Sequence, residues 1–409
     1  MLNVDEALAK VLAATLALPS REVDLEDALG CILAETILAD ADSPPFDKAL
    51  MDGYAVRAED CQTDSPSIFL IVEEITAGRV STRILGEREA ASIMTGAPLP
   101  SGADAVVQHE RTRKIDASHV EIPGQVREGV AVLRRGREMK HGQVLFETGT
   151  RIDPIKLGVL ATVGKARVAV LPRPTVMIVP TGDELVPIAS QPGPGQIRET
   201  NAAILKALAA PWSIAETRPP AKDNPDALRQ SLAEAIATDP DVLLVCGGVS
   251  AGKMDLVPET LVSIGVRPVF HHVRLKPGKP LLFGVRDRGT DRQPGLVFGL
   301  PGNPVSGIVG FLLFVLPALR RLSGWRDADN PVLTCELGAP FMHRGNRPTY
   351  HPSRFDSESK KVIPLEWMGS ADLFTVARAD GFVRFPEGDR AYETGERVAF
   401  LPFHETMRV

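Results

Sequence analysis

Only four cysteines occur in 409 residues, at positions 31, 61, 246 and 335, and none belongs to a CxxC pair or lies beside two histidines. That scatter excludes a disulfide framework and a cysteine–histidine zinc site, and it suits a reducing cytosol. A surplus of positive charge is missing too, since 46 Lys and Arg face 52 Asp and Glu for a net charge of -6. Nucleic-acid binding by bulk charge is excluded, so any anionic ligand must meet a local basic pocket. The longest apolar run, residues 308–319, is too short to span a bilayer and contains Pro317. Asp5 and Glu6 stand where a signal peptide needs positive charge, and Lys10 interrupts the apolar residues around it. The expectation is a cytoplasmic chain with no membrane and no nucleic acid among its partners. No Walker A loop, no Ser–His–Asp or Cys–His arrangement, no internal repeat and no low-complexity tract is present. His271 and His272 are adjacent, and as strand neighbours they should face opposite sides and share no metal.

What remains is an ordinary soluble composition, 44% hydrophobic and 24% charged, in a chain long enough for two to four domains. Val4, Ala7, Leu8, Val11, Leu12 and Leu16 recur at helical spacing, and a second helix is expected over 25–41, before Ser43-Pro44-Pro45. Residues 53–135 read as a β-rich insert of short runs, at 68–75, 105–109 and 119–122. A helix-then-strand pattern over 150–170 rejoins the first segment, giving a discontinuous domain of 1–52 and 136–171. From 172 to 326 strands alternate with helices. The strands fall at 176–179, 214–217, 242–245, 266–273, 281–285 and 296–300. The helices are 202–210 (capped by Asn201), 225–237 (begun by Asn224-Pro225) and 305–319. Such alternation implies a doubly wound, mostly parallel α/β sheet that binds ligands outside the carboxyl ends of its strands. Residues 327–409 suggest a small β-barrel or sandwich.

Three loops in the α/β segment are suited to anions. The first, Gly247-Gly248-Val249-Ser250-Ala251-Gly252-Lys253-Met254-Asp255, follows the apolar run Val242-Leu243-Leu244-Val245. Paired glycines after a buried strand let backbone N–H groups approach a phosphate with no Cβ in the way. Ser250 adds a hydroxyl, and Asp255 a carboxylate able to hold Mg²⁺ against a bound phosphate. The plain alternative is a tight turn with no ligand. The second loop, Lys276-Pro277-Gly278-Lys279-Pro280, has prolines that fix a turn and aim two ammonium groups, as oxyanion stabilisation requires. Solvated surface lysines are its plain alternative.

The third loop, Gly299-Leu300-Pro301-Gly302-Asn303-Pro304-Val305-Ser306, sets Asn303 as N-cap and Pro304 at the first helical position. A helix N-terminus, with its unpaired N–H groups, therefore opens at 302–306. Thr181-Gly182-Asp183-Glu184-Leu185 follows a strand on the same edge. Its carboxylates are either favourable charges at a helix start or, beside Asp255, contacts to a metal or a pterin. Asp223 precedes Asn224-Pro225, where helix capping and ligand binding are both open. Met51-Asp52-Gly53-Tyr54-Ala55 and Met94-Thr95-Gly96-Ala97-Pro98 read by chemistry alone as a hinge and a turn.

In order and spacing these runs resemble the molybdopterin molybdenumtransferase family, the bacterial MoeA proteins and the E domain of gephyrin. The matching runs are 51–55, 93–97, 181–185, 247–250, 276–280 and 299–306. The resemblance implies four domains, with the α/β unit as the pterin-binding domain, in an elongated homodimer. It implies an enzyme that inserts molybdate into adenylylated molybdopterin and releases AMP, with a divalent metal, usually Mg²⁺. The catalytic candidates are then Asp52, Thr95, Glu184, Asp223, Asp255, Lys276 and Lys279, with Asp223 and Asp255 as metal ligands. The binding candidates are Gly247, Gly248, Val249, Ser250, Pro280, Pro301, Gly302, Asn303 and Ser306, with Arg347 and Ser370 carried over as molybdate contacts. Molybdopterin adenylyltransferase and recipient molybdoenzymes are the further partners implied.

The chain departs from the family pattern at Lys48-Ala49-Leu50, where Asn-Ser-Ala is usual, and at Gly136-Arg137-Glu138, where Gly-Glu-Asp is common. Two rival readings stay open. One is an adenylyltransferase or other nucleotide-processing enzyme on the same α/β domain. The other is a scaffold that kept the fold and lost the chemistry.

Overall fold

The computed structural model describes residues 1–249, 256–289, 292–325 and 331–403. The chain forms two compact units, one of Met1–Ala34, Gly149–Pro154 and Arg167–Val409, the other of Glu35–Thr148 and Ile155–Ala166.

The α/β domain lies in the first unit. Its elements are β1 (Thr175–Pro180), α1 (Asn201–Ala209), β2 (Ile214–Thr217), α2 (Pro225–Ala237), β3 (Val242–Cys246), α3 (Val257–Ser263), β4 (Val266–His271), β5 (Leu282–Arg286), β6 (Gly295–Leu300) and α4 (Pro304–Leu322). The strands lie in the order β2-β1-β3-β6-β5-β4. The first four run parallel, and β5 is antiparallel to both of its neighbours. The connections that follow β1, β2, β3, β4 and β6 therefore all emerge at one edge, where parallel α/β sheets place their ligands.

Both faces of this sheet are covered at its centre, so β1, β3 and β6 are near-continuous apolar runs, while the edge strand β2 keeps Glu216 and Thr217 exposed. Val176, Ile178, Val242, Leu244 and Phe298 pack with α1 and α4 on one face. Met177, Val179, Leu243, Val245 and Val297 pack with α2 and α3 on the other. Among the described residues α4 is the one helix long and apolar enough by composition to cross a membrane, and nearly all of it is buried in the core. An all-round apolar helix suits that position. It runs through Pro317, which has no N–H to give. The turn Phe311–Val315 before it is π-helical, with the Leu316 N–H reaching back to the Phe311 carbonyl, and this absorbs the irregularity. The helix Val4–Ala13 packs on α4 and opens with a capping box between Asn3 and Glu6.

The carboxy-terminal strands Leu333–Leu337, Thr349–Asp356, Lys361–Pro364, Gly381–Phe385 and Arg397–Pro402 close into a small barrel. Arg167–Leu171 pairs antiparallel with Arg21–Asp24 and with Ile32–Leu33.

The expected helix over 25–41 is absent. Leu25–Ala28 is a single 3₁₀ turn, and Gly30 then takes φ +79, which a helix does not. Ile32–Leu33 and Ile37–Leu38 become strands, paired with Val170–Leu171 and with Val144 and Phe146. Pairing with segments more than a hundred residues away overrode the local helical spacing.

In the second unit the six strands run in the order Ala105–Gln108, Gly53–Val56, Glu89–Ile93, Ser67–Ile75, His119–Ile122, Arg113–Lys114. A Cβ on Gly53 would lie 2.1 Å from the Val107 carbonyl oxygen, so only glycine lets these two strands meet.

Candidate functional site

A cleft of about 600 Å³ opens at the carboxyl ends of β1, β3 and β6. Its floor is backbone. The ladder continues past the strand ends, with the Thr181 N–H donating to the Cys246 carbonyl at 2.8 Å and the Gly247 N–H to the Leu300 carbonyl at 3.0 Å. Gly247 has φ +106, and a Cβ there would stand 2.6 Å from the Thr181 carbonyl oxygen. The turn can be made by glycine alone.

Of the expected residues, Glu184, Asp223, Gly247, Gly248, Val249, Pro280, Pro301, Gly302 and Asn303 all line this cleft. Ser250 and Asp255 lie outside the described residues. Lys276, Lys279, Ser306, Arg347 and Ser370 do not line it, although each lies in or is tied to a neighbouring loop. Lys276 and Lys279 are exposed in the β4–β5 connection, which reaches the cleft through Pro280. Lys276 is anchored from the barrel side. Its N–H donates to the Pro348 carbonyl, its own carbonyl accepts from the Tyr350 N–H, and Arg347 Nη1 donates to the Leu275 carbonyl at 2.9 Å. Ser306 is buried in the first turn of α4. Ser370 closes over that turn, its hydroxyl accepting from Asn303 Nδ2 at 2.9 Å and its carbonyl from the Val305 N–H.

Two capping assignments change. Asn303 holds the N-cap backbone position but makes no side-chain cap, because its amide is turned to Ser370. Asn201 is already inside α1, whose cap position is Thr200, and Asn201 Nδ2 donates to the Gly302 carbonyl at 2.7 Å. It ties the start of α1 to the loop after β6.

That tie belongs to a wall the sequence reading missed: Ile197, Arg198, Thr200 and Asn201 all line the cleft. The short ladder Ile197–Arg198 beside Leu185–Val186 brings them there. Between them Glu199 is buried, and burial raises its carboxyl above the ordinary range although the Ala202 N–H donates to it at 2.7 Å. Cys246 also lines the cleft, but burial and the Glu199 charge push its thiol far up, so it is no nucleophile.

Asp223 and Asp183 face one another, each carboxylate accepting from the other's backbone N–H at 3.3 and 3.4 Å, with Lys222 Nζ 3.8 Å from Asp183. Asn224, not Asp223, caps α2, accepting from the Ala227 N–H. Asp223 is thereby released from capping and borders the cleft. Among the described lining residues Arg198 is the one cation, against the carboxylates of Glu184 and Asp223.

In the second unit, Asp52 Oδ1 accepts both the Thr95 N–H, at 2.6 Å, and the Thr95 hydroxyl, at 2.8 Å. These two bonds hold the Asp52 carboxyl below its ordinary range. The departures at Lys48 and Glu138 meet: Lys48 Nζ stands 3.8 Å from Glu138 Oε1, and the Ser43 hydroxyl donates to Glu138 Oε2. The expectation that His271 and His272 face opposite sides fails. His272 takes φ +90, which ends the strand alternation, and the two rings stack with centroids 4.0 Å apart.

Comparison with known proteins agrees over the whole length. The MoeA N-terminal region (domain I and II) matches residues 2–164, the probable molybdopterin binding domain 177–321 and the MoeA C-terminal region (domain IV) 334–403. The molybdopterin molybdenumtransferase of Staphylococcus aureus (strain Mu50 / ATCC 700699) is 32% identical over 408 residues, covering 97% of this chain and 94% of the relative. The chain belongs to the molybdopterin molybdenumtransferase family. Its fold is the family's as well. The molybdopterin biosynthesis MoeA protein from Pyrococcus horikosii superposes with a TM-score of 0.77 at 30% identity, covering 99% of both chains. The molybdopterin biosynthesis MoeA protein from Pyrococcus horikoshii OT3 gives 0.73 at 26% identity, covering 98% of this chain and 100% of that one.

Proposed function

We propose that this transferase inserts molybdate into adenylylated molybdopterin and releases AMP. The observation that carries the reading is the convergence of five strand-end loops on one cleft, with backbone rather than a nucleophile at its floor. Cleaving a phosphoanhydride between pterin phosphate and AMP needs the developing charge neutralised and the reactants held in place. The amides after β3 and the N-terminus of α4 supply fixed dipoles for this.

They do not supply enough charge. Glu184 and Asp223 would repel a bound pyrophosphate, and Arg198 alone does not offset them. No group of three acidic, histidine or cysteine side chains that could cage a metal occurs among the described residues. The Asp223 carboxylate at the edge of the cleft suits Mg²⁺, which takes one or two carboxylates and completes its octahedron with phosphate oxygens and water. Asp223 and Asp255 would hold it, and when bound it would neutralise phosphate charge.

Molybdate takes a second place, beside Lys279, Pro280 and Ser306. Lys279 is exposed and adds a full positive charge outside the glycine cleft, and Pro280 joins the two. Asp52 and Thr95, already fixed against each other, serve the active site of a homodimer, each site drawing on both chains. The cysteines at 31, 61, 246 and 335 are free and buried, which suits the cytoplasm.

Mass spectrometry of the small molecule that co-purifies with the chain tests the reading. An adenylylated pterin, or its AMP product, is expected. A nucleoside triphosphate in its place would favour the adenylyltransferase alternative.

A further inference from the structure

The Val249 peptide is held on both sides. Its side chain is 2% exposed and fills the space left by Gly299 on β6, where a Cβ would come within 2.8 Å of Val249 Cγ1. Its carbonyl oxygen lies 2.7 Å from Nε2 of His271, the last residue of β4. A carbonyl can only accept, so Nε2 carries the proton. His272 stacks on His271 at 4.0 Å because its positive φ swings both rings to one side. Burial, His271, Lys279 and the amino terminus all hold the His272 pKa down, which keeps that ring neutral and the stack free of charge repulsion.

The location gives this strut a purpose. Gly247 and Gly248 both take positive φ, so the turn before Val249 has few steric limits of its own. The Val249 carbonyl lies just past that turn, and a rotation about Val249 ψ that swung it into the cleft would face a phosphate with its negative end. We infer that His271 is a positioning residue for substrate phosphate, fixing the Val249 carbonyl away from the anion cleft through an Nε2–H bond that His272 steadies by stacking. This rests on the phosphate-binding reading of the glycine loop. His271 touches no reacting atom, so it acts through binding of the adenylylated pterin and not through molybdate.

The test separates ring from donor. His271→Phe keeps the stack and the volume but loses the N–H, whereas His271→Gln keeps a donor of similar reach. The KM for adenylylated molybdopterin should rise about tenfold in the Phe variant, the worth of one such bond. Its kcat and the half-saturating molybdate concentration should stay near wild type, and the Gln variant should recover most of the loss. Wild-type KM in the Phe variant, or no recovery in the Gln variant, would overturn the inference. Nitrogen-15 NMR of the wild-type imidazoles gives a second measure that needs no variant. It should show His271 protonated at Nε2, and an Nδ1–H tautomer would overturn the inference. Gly248→Ala separates the premise from the inference. If that change also leaves the pterin KM untouched, the loop reading itself fails; if it raises KM while His271→Phe does not, only the strut fails.

Discussion

The two ends of one sheet are built from opposite materials. At the carboxyl ends of β1, β3 and β6 the chain lines an open cleft with glycines, prolines and partly exposed carboxylates. At the amino ends, Asp241 is buried and accepts from the Thr175 N–H and hydroxyl at 2.8 and 2.9 Å and from Arg288 Nη1 at 2.7 Å. Asp239 beside it accepts from Arg286 and Arg288 and pairs with Arg292. The Arg288 side chain is only 4% exposed. One end opens backbone and carboxylates to a cleft, while the other spends nearly all of its charge internally. Stability and function are therefore separable along the strand direction.

The largest effect should come from the amino end. Asp241→Ala removes one of the four hydrogen bonds of the buried Arg288 and the acceptor of both the Thr175 N–H and hydroxyl, and the unfolding free energy should drop by about 3 kcal/mol. Urea unfolding measures this, and the folded fraction should keep wild-type KM values. A loss of substrate affinity without a loss of stability would break the division. At the carboxyl end the reverse pattern is expected. Asp255→Asn should slow molybdenum insertion on the order of a hundredfold with stability unchanged, read as AMP release at varied Mg²⁺. Unaltered metal dependence would remove Asp255 from the metal.

A smaller change sharpens the contrast within the functional end itself. Lys279→Ala combined with Ser306→Ala should raise the molybdate needed for half-maximal insertion about tenfold, while pterin binding changes much less. Equal losses of both would merge the two anion sites into one.

The smallest effect is a pH dependence. Hydrogen bonds from Arg288, then from Arg286 and Arg292, hold the Asp239 carboxyl below its ordinary value of 3.8. The unfolded chain therefore takes up that proton first as pH falls. The stability due to Asp239 is complete above about pH 4 and is lost progressively below it. Urea midpoints at pH 6 and pH 3 should converge between wild type and Asp239→Asn at the lower pH, and a constant gap would contradict the assignment.

How much of this was legible depended on how local the cause was. Asn224-Pro225 announced α2 because capping is decided within four residues, and the helix runs over Pro225–Ala237 as expected. The glycine loops were legible because a positive φ after a buried strand needs glycine. The wall of Arg198, Thr200 and Asn201 was not, since it is placed by a two-residue ladder with Leu185–Val186 twelve positions earlier. The lost helix over 25–41 and the stacked histidines fail for related reasons. In the first, distant strands supply the pairing; in the second, one backbone angle at His272 reverses a side chain that alternation sends the other way.

The central claim, that the carboxyl-end loops perform molybdate insertion, is tested most directly by AMP release from adenylylated molybdopterin as molybdate is added. The wild-type chain should release AMP in proportion to molybdate, Asp241→Ala should do the same per folded molecule, and Gly247→Ala should release little. AMP release that ignores molybdate, or a Gly247→Ala variant that works as well as wild type, would contradict the account.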